Sequence, residues 1–124
     1  LAKELPIHLR RGKLAEDKAL AHLLGNGLTL TQRNYRTPYG EIDLIMVDPV
    51  LCELVFVEVR YRNSDQFGGP AQSIDRHKQG KLIASAEYFR QHNHQFTDSP
   101  CRFDVVTLSG DMDTGPLQWY RNAF

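Results

Sequence analysis

Apolar and polar positions alternate most clearly between Gly40 and Arg62, where two runs read Gly-Glu-Ile-Asp-Leu-Ile-Met-Val and, after a turn, Leu-Val-Phe-Val-Glu-Val-Arg-Tyr-Arg. Strand side chains point to opposite faces with period two, so in the first run Glu41 and Asp43 share one face while Ile42, Leu44 and Met46 line the other. In the second run Leu54, Phe56, Glu58 and Arg60 fall on one face, and Val55, Val57, Val59 and Tyr61 on the opposite one. A run this apolar on both faces predicts a central, buried strand.

The rest of the chain reads as support for this pair. From Gly12 to about Leu24, residues Ala15, Ala19, Leu20, Leu23 and Leu24 recur at helical spacing, and Gly25 or Gly27 supplies a stop. Leu28 to Tyr35 reads as a strand, followed by the turn Thr37-Pro38-Tyr39-Gly40. Ser73 to about Asn93 reads as a second helix with Ser73 as its N-cap, and Lys78, Leu82, Ser85, Ala86 and Phe89 form its inner stripe. Cys101 to Ser109 reads as a strand with Asp104 near its start, and Leu117 to Arg121 as a short closing strand whose Trp119 caps the core. Residues 1–11, with Pro6 and no clear period, read as a flexible arm made locally basic by Arg10 and Arg11. Asn63 to Pro70 is a polar Gly-Gly-Pro loop, either a plain connector or a segment that closes over a substrate.

Composition narrows the class without choosing a function. At 124 residues, with 41% apolar and 24% charged positions, the chain is expected to form one domain and to bury a core without disulfides or a structural metal. No apolar run approaches the length that spans a bilayer, and Leu1 to Arg11 carries no signal-peptide pattern, so the expected compartment is the cytoplasm. Fifteen Lys and Arg balance fifteen Asp and Glu, which argues against a strongly basic protein that coats nucleic acid indifferently and leaves room for a local basic patch. Cys52 and Cys101 lack CxxC spacing and sit at strand edges, so buried free thiols are expected in preference to a disulfide or a zinc site. P-loop, dinucleotide and nucleophile-elbow motifs are absent from the sequence.

Glu58 is an acid in the most core-like stretch of the chain, where an unpaired charge is costly. If the two central runs form an antiparallel hairpin around a loop of about six residues at Asp48 and Pro49, Asp43 falls opposite Glu58 with Cβ atoms roughly 5 Å apart. Two carboxylates that close repel unless a divalent metal or a proton sits between them. Glu16 lies at the border of the first helix's packed face, and spacing alone favours a solvated carboxylate near the helix N-terminus. Lys78 extends the second helix's apolar stripe toward the helix start, where a buried stem with a solvated tip is the common arrangement.

Together, Gly-Glu-Ile-Asp-Leu-Ile and Val-Phe-Val-Glu-Val-Arg-Tyr-Arg, between a helix bearing Glu16 and a helix bearing Lys78, resemble the PD-(D/E)XK nuclease superfamily. More narrowly, the chain resembles the YraN-like bacterial proteins of unassigned function, which are similar to archaeal Holliday junction resolvases. The resemblance runs from Gly12 through Arg102-Phe103-Asp104-Val105-Val106 to Asn122-Ala123-Phe124. It implies an α/β, restriction-endonuclease-like fold with a central mixed sheet flanked by helices. It also implies Asp43 and Glu58 as ligands of Mg²⁺ or Mn²⁺, the Val59 carbonyl as a third ligand, and Glu16 as the acid that such nucleases carry on the first helix. DNA, branched DNA in particular, is the implied partner, and a homodimer is the implied assembly.

One position departs from the motif, which has lysine two residues after the acid where this chain has Arg60. An arginine side chain cannot take a proton from water, although it can grip a phosphate oxygen and stabilise transition-state charge. Lys78 is the candidate to take over the lysine's role. Arg60, Arg62 and Lys78 would then offset phosphate charge, and Arg10, Arg11, Arg33 and Arg36 could extend contact along a backbone. Each of those arginines taken alone is more often a solvated surface charge. Two function classes follow: a metal-dependent DNA endonuclease, or a catalytically silent nucleic-acid-binding or interaction protein with the same fold.

Overall fold

The alternating stretch forms three consecutive antiparallel strands, β1 (Thr29–Thr37), β2 (Gly40–Asp48) and β3 (Glu53–Arg62), in a computed structural model that describes residues 6–62, 74–111 and 113–124. β4 (Cys101–Ser109) pairs with β3 in parallel and β5 (Leu117–Tyr120) returns antiparallel to β4, giving a five-stranded mixed sheet in the order β1-β2-β3-β4-β5. A parallel step needs a crossover, and α2 (Arg76–His92) with the 3-10 turn His94–Phe96 lies between β3 and β4 in the chain. β3 is hydrogen-bonded on both sides, as expected for the run that is apolar on both faces.

Among the described residues, each face of the sheet carries one helix. On one side Ala15, Ala19 and Leu23 of α1 (Ile7–Gly25) pack against Leu44, Met46, Val55, Val57 and Val106. The small alanines let the helix approach the strands closely. On the other side Leu82, Ala86 and Phe89 of α2 meet Ile42, Ile45, Leu54, Phe56 and Val105. α1 stops where its sequence predicts: Gly27 takes a positive φ of 95°, Leu28 N–H bonds back to Leu23 O, and Gly27 N–H to Leu24 O. This is a Schellman ending, with Leu23 and Leu28 both buried in the same cluster.

Several expectations are corrected. α1 begins at Ile7, so residues 7–11 are its first turns and not part of an arm. Asp75 is the N-cap of α2, its carboxylate accepting the Lys78 N–H at 2.8 Å, while the expected cap Ser73 and the Asn63 to Pro70 loop lie outside the described residues. The β2–β3 loop is four residues long and not six, because the Asp48 carboxylate accepts the N–H groups of Val50 and Leu51 and tightens the turn. That turn leaves Cys52 exposed, with φ of 55°, rather than buried; both cysteines are free. Ile42 and Leu44 do not share a face: Ile42 belongs to the α2 side and Leu44 to the α1 side. The alternation breaks at Asp43, whose neighbour across the ladder, Asn34, has a left-handed φ of 50°.

Candidate active site

Asp43 sits at that break. Register pairs Leu44 with Val57 and Ile45 with Phe56, and the same ladder continued by one residue sets Asp43 opposite Glu58. The Val59 N–H donates to Asp43 Oδ2 at 2.8 Å. Burial is the largest influence on Asp43 and the charge of Glu58 the next, and together they push its carboxyl up to about 8 against the opposing pull of the Val59 N–H. The side chain therefore carries a proton over much of the neutral range unless a cation replaces it.

Glu58 itself is 8% exposed, and the Lys78 Nζ approaches its Oε2 to 3.5 Å from the first turn of α2. From the α1 side comes Glu16, whose carboxyl is raised by burial first, then lowered by Arg33 and raised again by Glu41. Asn34 joins the two acids: with its amide turned to donate, the nitrogen lies 2.9 Å from Glu16 Oε1 and 3.3 Å from Glu41 Oε1. Asn34 thus helps position Glu16.

A cleft of about 500 Å³ is lined by Glu16, Asp43, Glu58, Arg60, Lys78 and Arg11, with the Val59 backbone at its wall. A second cleft of about 440 Å³ opens on the α2 side and shares Asp43, Glu58 and Lys78 with the first. The Nε of Arg60 is buried and has no hydrogen-bond partner among the described residues. Among those residues no three His, Cys, Asp or Glu side chains converge as a ready-made metal cage. Asp43 and Glu58 form a carboxylate pair, a donor set suited to a hard dication that completes its shell with carbonyl and water oxygens.

The structure brings Glu16, Asp43, Glu58, Val59, Arg60, Lys78 and Arg11 to one place. It does not bring Arg33, which is bound 2.7 Å from Asp17 Oδ1 and 3.9 Å from Glu16 Oε1, and so serves α1 rather than the cleft. Arg36 is exposed on the edge strand opposite Glu41, Arg62 is exposed at the end of β3, and Arg10 is exposed on α1; none of the three lines either cleft.

Sequence reasoning passed over His77 and Lys81, which line the second cleft. Lys81 stands three residues after Lys78, a spacing that places both on neighbouring parts of one helix face. It also passed over a buried polar cluster where β4 begins. There Arg102, 5% exposed, reaches Asp48 at 3.1 Å, Glu53 at 3.3 Å and Asp104 at 3.1 Å, while Asp104 also accepts from the Trp119 Nε1–H and the Asn122 N–H. Arg102 and Asp104, two apart on one strand, were legible as a same-face pair; their partners were not. This cluster ties the hairpin loop and the C-terminal strand to β4 and takes no part in the cleft. No helix among the described residues is long and apolar enough to cross a membrane.

A family model described as Uncharacterised protein family UPF0102 matches residues 15–108. Similar sequences include a UPF0102 protein of Pseudomonas entomophila (strain L48), 52% identical over 114 residues that cover 91% of each chain. One from Pseudomonas fluorescens (strain Pf0-1) is 48% identical over 117 residues, 94% of each chain. A third, from Shewanella loihica, is 45% identical over 117 residues, covering 94% of this chain and 96% of its own.

Proposed function

Because the chain belongs to the uncharacterised protein family UPF0102, whose name assigns no activity, we propose from the cleft itself that it is a metal-dependent endonuclease hydrolysing DNA phosphodiester bonds. The observation that carries this reading is the closeness of Asp43 and Glu58, acids of adjacent strands, in a cleft flanked by Lys78, Arg60 and Arg11. A buried acid raised to about 8 beside a second acid forms a site that gains from a dication, and the surrounding cations suit a phosphate. We extend the reading to the PD-(D/E)XK superfamily, with Mg²⁺ or Mn²⁺ as the metal and branched DNA, as in recombination or repair in the cytoplasm, as the substrate.

Asp43 and Glu58 would hold the dication together with the Val59 carbonyl. When bound there, a dication supplies an acidified water and neutralises charge on the phosphate under attack. The chain's own residues supply placement. Lys78, salt-bridged to Glu58, stands where it can orient the water or the scissile phosphate, and Arg60 lines the same cleft, where its guanidinium can offset phosphate charge. Glu16 borders the same space and adds negative charge beside the metal position.

One observation favours a second reading, a nucleic-acid-binding protein of the same fold without turnover: Arg60 occupies the lysine position of the motif. Cleavage of labelled branched, single-stranded and duplex DNAs with Mg²⁺ or Mn²⁺ separates the two. A nuclease that relies on Lys78 loses about 10²-fold in rate on Lys78→Ala, and Arg60→Lys keeps or raises the rate. A folded, metal-loaded Arg60→Lys variant that cuts nothing in the panel moves the protein to the silent reading.

A further inference from the structure

Beside the acidic clefts, a groove of about 540 Å³ runs along the outer side of the first turns of α2, and no carboxylate is among its lining residues. Tyr39, Arg76, His77 and Lys81 border it, with Gly80 and Ala84 between them. The volume falls in the range of roughly 300–1,000 Å³ in which small organic groups are held. His77 and Lys81 also line the cleft that contains Asp43 and Glu58, so the groove is continuous with the candidate active site.

Two features of this groove bear on what it could hold. The Tyr39 ring meets Tyr88 of α2 edge-on at 6.4 Å yet remains 55% exposed, and the turn that carries it is fastened. Thr37 Oγ1 accepts the N–H groups of Tyr39 and Gly40 at 3.0 and 3.1 Å and lies 2.8 Å from Ser85 Oγ on α2. Gly40 also lies against the helix, since a Cβ there would stand in ordinary contact with Ser85 Oγ at 3.6 Å and Lys81 Cβ at 3.9 Å. The turn is seated on the helix, and the ring is presented at a fixed place beside Lys81. The second feature is Gly80. A glycine inside a helix weakens it relative to alanine, and nothing within 4 Å of the absent Cβ demands one. What the missing side chain leaves is open width next to Tyr39.

We propose that this groove receives an unpaired nucleotide next to the scissile phosphate, its base stacked on Tyr39 and its backbone held by Arg76 and Lys81. Fixed aromatic rings beside cations are how proteins hold single strands, because every base offers a face to stack while the cations follow the phosphates. The proposal rests on the nucleic-acid reading of the cleft and adds a substrate class: a flap, gap or junction with a free base at the cut, in preference to a fully paired duplex whose bases are already stacked on each other.

Fluorescence anisotropy in EDTA, which excludes cleavage, tests it with a labelled single strand and with a blunt duplex of the same sequence. Tyr39→Ala should weaken single-strand binding about tenfold and leave duplex binding unchanged, while Tyr39→Phe, which keeps the ring, should bind like the parent. Lys81→Ala should weaken both and lower the slope of log affinity against log salt by about one. Tyr39→Ala also removes the edge-on contact with Tyr88, so a modest fall in melting temperature is expected, with the protein still folded at the assay temperature. Unaltered single-strand affinity in Tyr39→Ala, or an equal loss on the blunt duplex, overturns the stacking proposal and leaves the endonuclease reading standing. A parent protein that binds neither DNA overturns both.

Discussion

Between about pH 4 and pH 8 Asp43 holds a proton in the folded chain that it would release in the unfolded one, because burial and the neighbouring Glu58 raise its carboxyl to about 8. In that window the folded state binds more protons, so this group's contribution to stability falls as pH rises and is restored as pH is lowered. Thermal melts of the metal-free protein in EDTA should therefore show a parent that loses stability from pH 5 to pH 8 more steeply than Asp43→Asn, and a mutant that is the more stable of the two at pH 8. A dication reverses that ranking. Mn²⁺ should raise the melting temperature of the parent, with affinity growing toward pH 8 as Asp43 gives up its proton, and calorimetry should find binding lost in Asp43→Asn. Equal Mn²⁺ binding by both proteins would remove Asp43 from the metal site.

At the scale of elements, the site depends on where α2 starts. Asp75 caps the helix through the Lys78 N–H, which sets the position from which Lys78 reaches Glu58. Asp75→Ala should cost about 1 kcal/mol, a fall of roughly 3–6 °C in melting temperature, and Asp75→Ser should recover most of it, since a hydroxyl also accepts at an N-cap. A melting temperature unchanged in Asp75→Ala would mean that the cap is not what fixes the start of α2. The elements differ in how far the sequence revealed them. β3 and β4 were legible because both are buried on two faces and read as continuous apolar runs. The cap was misplaced because Ser73 and Asp75 are both N-cap residue types, and local sequence does not say which one adopts the extended backbone seen at Asp75. The start of α1 was missed for a related reason: Leu9 to Leu14 are exposed and form no buried apolar stripe, so no period marks the start.

For the molecule as a whole, a formal charge of zero means that any grip on DNA comes from a patch, not from the global field. With about three to five phosphate contacts from residues such as Arg11, Arg60, Arg76, Lys78 and Lys81, the slope of log affinity against log salt on duplex DNA should be roughly −3 to −5. A slope near zero would argue that the cleft does not face phosphate. The same charges look alike in the sequence, and only the fold sorts them: Arg33 is bound to Asp17, Arg102 is buried among Asp48, Glu53 and Asp104, and Arg60 lines the cleft. By itself the sequence determined the alternating strands and the helical stripes, because strand and helix periods are local properties that a short apolar pattern specifies. The tertiary structure alone decided the face switch at Asp43, the joining of Glu16 and Glu41 through Asn34, and the seating of the Tyr39 turn on α2. Those features depend on contacts between segments far apart in the chain, and a side chain's partners there are set by how the helices lie on the sheet, which no local period encodes.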